Sequence, residues 1–282
     1  MSTLLNDYLQ QLQEKKEKAL IPFIVAGYPD LEKSVQLAVD ILDSGGDILE
    51  LGLPYSDPMA DGPVIEQASH HAVSQGITTK HVLEIVKKIK KQRNKPIVLL
   101  SYYNPILKYG IKNFVRDFAS AGLSGLVIPD LPPEEREELY DQVKGKLSLI
   151  PLVSPVTKNE RLEKILHNSE GFVYCISRLG TTGEREQLSF QGEQLIHRSR
   201  EITDLPLMLG FGIKNPEQAS EVSAYASGVI VGSAIMNKII NSYNHNQHIK
   251  GDYLKEQVAD ESYSNEDVKN FVARLKSAIS SV

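Results

Sequence analysis

DILELGLP at 47–54 is an apolar run too short for a helix and suited to a covered strand. Laid out as a strand, Ile48, Glu50 and Gly52 share one face, and Leu49, Leu51 and Leu53 share the other. A run that is apolar on both faces belongs to a parallel sheet covered by helices. Working outward, similar runs stand at 20–26 (LIPFIVA), 96–103 (PIVLLSYY), 125–130 (GLVIPD) and 147–155 (LSLIPLVSP). Three more follow at 171–177 (GFVYCIS), 205–212 (LPLMLGFG) and 228–234 (GVIVGSA). Successive starts are 27, 49, 29, 22, 24, 34 and 23 residues apart, and most of these spacings hold one strand plus one crossover helix. Eight such units predict an α/β chain folded as a (β/α)8 barrel, one domain over 1–282. An extra helix is expected at the N-terminus and another after strand 2.

The long gaps place the loops. The 49-residue spacing holds PYSDPMADGP at 54–63 and two helical stretches near 64–75 and 79–92. The 34-residue spacing holds RLGTTGEREQLSFQG at 178–192, read as a second long loop. Loops that follow barrel strands lie at the C-terminal face, where such barrels keep their chemistry. Pro132 and Pro133, followed by Glu134 and Glu135, read as a helix start. The polar stretch at 241–265 reads as mostly loop, and a closing helix is expected near 265–280 with Val268, Phe271, Val272 and Leu275 on one face.

Composition narrows the function. Of 282 residues 41% are hydrophobic and 24% charged, so a sizeable core is available. Lys plus Arg is 31 and Asp plus Glu is 36, a net charge of −5, which argues against a nucleic-acid-coating surface. The lone cysteine, Cys175, excludes an intrachain disulfide framework and reads as an inert core residue. No apolar run approaches 18 residues and the N-terminus lacks a signal-like apolar stretch, so a cytoplasmic protein with no membrane contact is expected. The histidines show no metal-ligand spacing, and no metal is expected.

Several residues have the right type and place for chemistry. Glu50 faces the barrel interior, where a carboxylate is costly unless paired, hydrogen-bonded or protonated. No Lys or Arg lies in the eight strand runs. Burial raises such a pKa toward the range useful for acid–base work. Asp61, in the loop that follows, is either a second carboxylate over Glu50 or the cap of the next helix. Asp130 orients a ligand or caps the helix beginning at Pro132, and the cap is the simpler reading. Phe23, Tyr102 and Tyr174 are inward-facing aromatics that either line a planar apolar pocket or fill the core. Glycine turns at 180–183 (GTTG), 210–213 (GFGI) and 232–234 (GSA) allow backbone N–H groups to approach a phosphate.

At LELGLPYSDPMADGP (49–63) the chain closely resembles the tryptophan synthase alpha chain family. The resemblance continues through LLSYYNPI (99–106), GLVIPDLPPEE (125–135), SRLGTTGER (177–185), LGFGIKNPEQ (209–218) and VGSAIM (231–236). It implies cleavage of indole-3-glycerol phosphate to indole and glyceraldehyde 3-phosphate, a retro-aldol reaction with no cofactor of its own. It also implies a pyridoxal-phosphate-bearing beta chain as partner in an alpha2beta2 tetramer. Glu50 and Asp61 match the family's catalytic carboxylates. Gly183, Phe211, Gly212, Gly232 and Ser233 match phosphate-binding positions. Phe23, Leu100, Tyr102, Asp130 and Tyr174 match positions that line or support the indole pocket. The chain departs from the usual pattern at Tyr55, Met59 and Thr181, none of which is in the catalytic pair. A free-standing lyase and a non-catalytic activator of a partner stay open as alternatives. The loops at 54–63 and 104–110, with Pro58, Met59, Pro105, Ile106 and Leu107, are expected at the partner contact, with Asp57 near its edge.

Overall fold

The computed structural model describes residues 4–176, 185–210, 212–252 and 265–280. α1 (Leu4–Glu14) leads into β1 (Ala19–Val25), α2 (Leu31–Asp43) and β2 (Leu49–Gly52). Two helices, α3 (Pro63–Ser74) and α4 (Thr79–Gln92), precede β3 (Ile97–Leu100). Then come α5 (Tyr103–Tyr109), α6 (Ile111–Ser120), β4 (Gly125–Val127), a 3-10 turn (Pro133–Glu135) and α7 (Glu137–Val143). The remaining chain runs through β5 (Ser148–Ile150), β6 (Leu152–Val153), α8 (Asn159–Leu166), β7 (Val173–Ile176) and α9 (Arg185–Arg200). It ends with β8 (Leu207–Gly210), α10 (Pro216–Ser223), β9 (Gly228–Val231), α11 (Ser233–Asp252) and α12 (Glu266–Ser280).

Every strand pairing is parallel, in the order β5-β4-β3-β2-β1-β9-β8-β7-β6. The two ends of this order, β5 and β6, are consecutive in the chain, so the sheet wraps into a barrel. The strand expected at 147–155 is split because Pro151 has no N–H for the ladder. Its carbonyl still accepts the Tyr174 N–H at 2.9 Å. Eight strand positions therefore carry nine strand segments.

The side-chain alternation follows the sequence reading. Ile21, Ile48, Val98, Val127, Ile150, Tyr174, Met208 and Ile230 cluster inside the barrel. Leu5, Leu9 and Leu12, on one face of α1, join that cluster and plug the barrel's N-terminal end. Leu49, Leu51 and Leu53 pack instead in the layer between sheet and helices. Cys175 is buried in that outer layer near Leu195 and Leu207, and burial pushes its thiol pKa up.

Four expectations need correction. Strand 3 stops at Leu100, and Tyr103 already opens α5, because Asp130 captures its N–H from outside. The Pro132–Pro133 start yields a 3-10 turn, and α7 begins only at Glu137. Residues 185–192 are the first half of α9 rather than loop. Residues 241–252 continue α11, because Ile235, Met236, Ile239 and Ile240 pack into the core at helical spacing and Tyr243 extends that face. The closing helix matches its reading, with Val268, Phe271, Val272 and Leu275 buried and Ile279 added.

At the N-terminal end of the barrel, one buried acidic side chain ties the first and last helices together. Asp47 accepts the Leu20 N–H at 2.8 Å, Lys276 Nζ at 2.8 Å and the Tyr8 hydroxyl at 3.3 Å. Lys276 Nζ also donates to the Lys18 carbonyl at 3.0 Å. Burial, and then the Asp47 charge, push the Tyr8 phenol pKa well up. Asp47→Ala strands these donors, so it is expected to cost about 1–3 kcal/mol in urea unfolding. Activity of the folded fraction should stay near that of the parent, because the cluster lies at the far end of the barrel.

Candidate active site

Strand β2 delivers Glu50 to the interior, 1% exposed, and neither carboxyl oxygen has a hydrogen-bond partner. Its register neighbours are Phe23 on β1 and Val98 on β3. Loss of hydration, with a smaller push from the Asp61 charge, raises its pKa to about 8. At neutral pH the group is therefore a protonated acid inside an apolar wall.

Asp61 is not a helix cap. Gly62 holds the N-cap position of α3 and no side chain caps it. Burial raises the Asp61 pKa to about 6, a hydrogen bond from the Tyr102 hydroxyl pulls it down, and the Glu66 charge raises it further. Glu50 is still neutral where Asp61 titrates, so the coupling acts from Asp61 on Glu50 and not in return. The two carboxyls thus separate, one ionised and one protonated between pH values of about 6 and about 8.

A cavity of about 420 Å³ lies at the C-terminal ends of the strands. Phe23, Leu100 and Tyr174 line its wall, and Asp61 lies at its edge. Two glycines make room for these rings. A Cβ at Gly52 would lie 2.6 Å from Phe23 Cζ, and one at Gly210 would lie 2.8 Å from Tyr174 Cε1. Tyr174 is buried, and burial together with the Glu50 and Asp61 charges raises its phenol pKa far above the usual range.

The other end of the cavity is polar and backbone-rich. Gly212, Gly232 and Ser233 line it, and Ser233 opens α11. The first N–H groups of a helix lack intrahelical partners and favour an anion. Gly212 adopts φ +89°, which favours glycine. Lys214, Asn237 and Lys238 also line this end, and they were missed in the sequence. Lys214 follows the GFGI turn directly, a signal that was available. Asn237 and Lys238 reach the site only because α11 packs against β1 and α3. Ile65, on the first turn of α3, was also missed, because it reaches the cavity only through the packing of α3 on β1 and α11.

Asp130 does something different from its sequence reading. Its two oxygens accept the Tyr103 N–H at 3.0 and 3.1 Å, so it caps α5 rather than the turn after Pro132. It lines a smaller neighbouring cavity of about 290 Å³, not the one holding Asp61. A third cavity, of about 560 Å³, lies at the N-terminal end beside Leu9, Ala19 and Leu207 and holds none of the expected site residues. Gly183 and Phe211 lie outside the described residues. Among the described residues no group of three or more His, Cys, Asp or Glu is placed to hold a metal ion.

The expected contact loops also divide. Met59 is 79% exposed and Leu107 49% exposed, and Asp57 is exposed. Pro105 and Ile106 are buried, because α5 turns that side of the segment into the core.

The sequence model of the family described as tryptophan synthase alpha chain matches residues 9–277. The chain belongs to the tryptophan synthase alpha chain family. It is 43% identical over 240 residues to the tryptophan synthase alpha chain of Caldanaerobacter subterraneus subsp. tengcongensis, covering 85% of this chain and 91% of that one. It is 40% identical over 269 residues to that of a Thermoanaerobacter species, covering 95% and 96%. The crystal structure of tryptophan synthase subunit alpha from Legionella pneumophila superposes with TM-score 0.87 at 34% identity, covering 100% of both chains. A chain of tryptophan synthase from M. tuberculosis, in an aminoacrylate-bound form, gives TM-score 0.84 at 30% identity over 99% and 100%. In this family the pyridoxal-phosphate chemistry belongs to the beta chain. Among the described residues no helix is long and apolar enough to cross a membrane.

The unpartnered Glu50 has a thermodynamic signature. Its folded pKa of about 8 lies above its ordinary 4.5, so the unfolded chain releases this proton first. Stability therefore falls as pH rises between those values. Glu50→Gln removes that dependence. Its stability relative to the parent should improve by on the order of a few kcal/mol between pH 5 and pH 8, read by denaturant melts at each pH.

Proposed function

We propose that this alpha chain cleaves indole-3-glycerol phosphate to indole and glyceraldehyde 3-phosphate through Glu50 and Asp61. The observation that carries the reading is two electrostatically coupled carboxyls with separated pKa values, about 8 for Glu50, buried behind the cavity wall beside Phe23, and about 6 for Asp61, which lines the cavity. Protonated Glu50 gives its proton to indole C3, which makes the ring a leaving group. The resulting Glu50 carboxylate then takes the proton of the side-chain hydroxyl. The bond from C3 to the hydroxyl-bearing carbon breaks, its electrons return to the ring, and an aldehyde forms. Glu50 ends protonated, as it began. Ionised Asp61 accepts the indole N–H and stabilises the positive charge that builds on the protonated ring.

The cavity supports this division. Phe23, Leu100 and Tyr174 offer an apolar wall for the indole. The α11 N-terminus, Gly212, Gly232, Ser233 and the nearby Lys214 and Lys238 offer a positive end for the phosphate. Phosphate held there spends remote binding energy on orienting the reacting bond. Gly183 and Phe211 complete the phosphate end in this reading, and Tyr102 and Asp130 support the pocket. No cofactor or metal enters the scheme. The reading takes 1–282 as one barrel domain acting in the cytoplasm, in an alpha2beta2 assembly with a beta chain.

Indole release from indole-3-glycerol phosphate, measured with and without a beta chain, tests this. Glu50→Gln should abolish turnover, and Asp61→Asn should lower it at least about a hundredfold. kcat/KM for the parent should be bell-shaped, rising through about pH 6 as Asp61 ionises and falling through about pH 8 as Glu50 does. Parent-like turnover in Glu50→Gln overturns the assignment.

The partner reading rests on the exposed apolar side chains of Met59 and Leu107 beside the Asp61 loop. A beta chain seated there contacts the segment that carries Asp61, and so favours its competent conformer. Leu107→Glu should remove most of the activation by a beta chain and spare the basal rate. Activation equal to the parent's would move the contact elsewhere.

A further inference from the structure

The loop bearing Asp61 is fastened at its start by a residue outside the reaction scheme. The Tyr55 backbone is clamped to α3, where the Tyr55 N–H donates to Ser69 Oγ at 2.9 Å and Ser69 Oγ donates to the Tyr55 carbonyl at 3.0 Å. Its side chain reaches the other way. Asn104 Nδ2, in the first turn of α5, donates to the Tyr55 hydroxyl at 3.1 Å. Between these anchors the Tyr55 ring lies against the Tyr102 ring, with centroids 5.3 Å apart and planes tilted by 33°. The Tyr102 hydroxyl accepts the Ala60 N–H at 2.8 Å and donates to Asp61. Tyr102 itself sits at the N-cap of α5, whose first N–H is held by Asp130.

We propose that Tyr55 is a positioning residue, whose hydroxyl tie to Asn104 holds the Tyr102 ring where it can fix Ala60 and Asp61 over the cavity. The physical reason is the lever it forms. The loop from 53 to 62 has no regular structure of its own, and the α3 clamp fixes only its first residues. Tyr102 meets the loop at its far end through a single hydroxyl. That hydroxyl can serve both Ala60 and Asp61 only if the ring does not slide, and the flank of the ring that would open is the one covered by Tyr55. The tie also runs within one chain, from α3 to α5, so it acts before any partner arrives. The Asp57 and Met59 side chains between the two anchors stay exposed. Tyr55 touches neither carboxyl and acts only through Tyr102.

The inference rests on the proposed lyase reading for its kinetic arm, and on Asp61 titration for an arm independent of activity. In the isolated chain, Tyr55→Phe keeps the ring and removes the hydroxyl, and Asn104→Ala removes the donor. Each is expected to lower kcat about two- to tenfold, the worth of one neutral hydrogen bond, with KM for indole-3-glycerol phosphate changed less than about twofold. The double variant should be no slower than either single one, because both remove the same tie. The Asp61 carboxyl, followed by carbon-13 NMR titration in the unliganded chain, should titrate at higher pH in both variants, because the Tyr102 hydrogen bond favours its ionised form. The Asp61 midpoint decides. A midpoint equal to the parent's in both variants overturns the inference, even where thermal stability or kcat falls. An inactive parent chain would count against the lyase reading and leave the midpoint test in force.

Discussion

A carboxyl group buried without a partner is the constraint around which this barrel is arranged. Glu50 faces an interior otherwise filled by aliphatic and aromatic side chains, and no cation or donor among the described residues meets its oxygens. The cost of ionising it there keeps it protonated near neutral pH. A proton held on a rigid strand is what the proposed carbon protonation requires. The rest of β2 serves that placement. Leu49, Leu51 and Leu53 lock the strand into the helical layer, and Gly52 leaves space for the Phe23 ring that walls the cavity.

The two ends of the barrel divide the work. At the N-terminal end α1 plugs the interior with three leucines, and Asp47 gathers donors from α1, β1 and α12. Asp47 and its donors are matched there and the first and last helices are joined. At the C-terminal end the polar groups are left open. Glu50 has no partner, α11 points its N-terminus into a cavity, and Asp61 lies half-buried on a loop. The satisfied end supports the unsatisfied one, which is how a fold sustains groups whose free energy in isolation is unfavourable.

A chain of helix starts carries position to Asp61. Asp130, after β4, holds the first N–H of α5, α5 presents Tyr102 at its N-cap, and Tyr102 holds the loop after β2. Three successive strand ends are thereby linked at their C-terminal edges. Asp130 earns its place by fixing a neighbouring element and not by touching the cavity that holds Asp61.

Much of this was legible in the sequence. The period-two alternation in 47–54 put Glu50 inside and the leucines outside, and eight apolar runs at crossover spacing named the barrel. The glycine turns at 210–213 and 232–234 pointed to Gly212, Gly232 and Ser233, which line the cavity, because close backbone approach needs glycine. Local pattern could not say which element a polar side chain would meet. Asp61 read equally as a cap, and Asp130 read as the cap of its own helix, since both groups suit any free N–H. The choice was made by the parallel pairing of β3 with β4, which offers Asp130 the start of α5. Ile106 read as a surface residue because exposure depends on which way α5 rolls. Asn237 and Lys238 reached the cavity only through the packing of α11 against β1 and α3. Sequence alone determined the strand faces and the inward placement of Glu50, because side-chain period is a local property. Tertiary structure decided the partners of Asp61, Asp130 and Tyr102, because a hydrogen bond between strand ends exists only once the strands have paired.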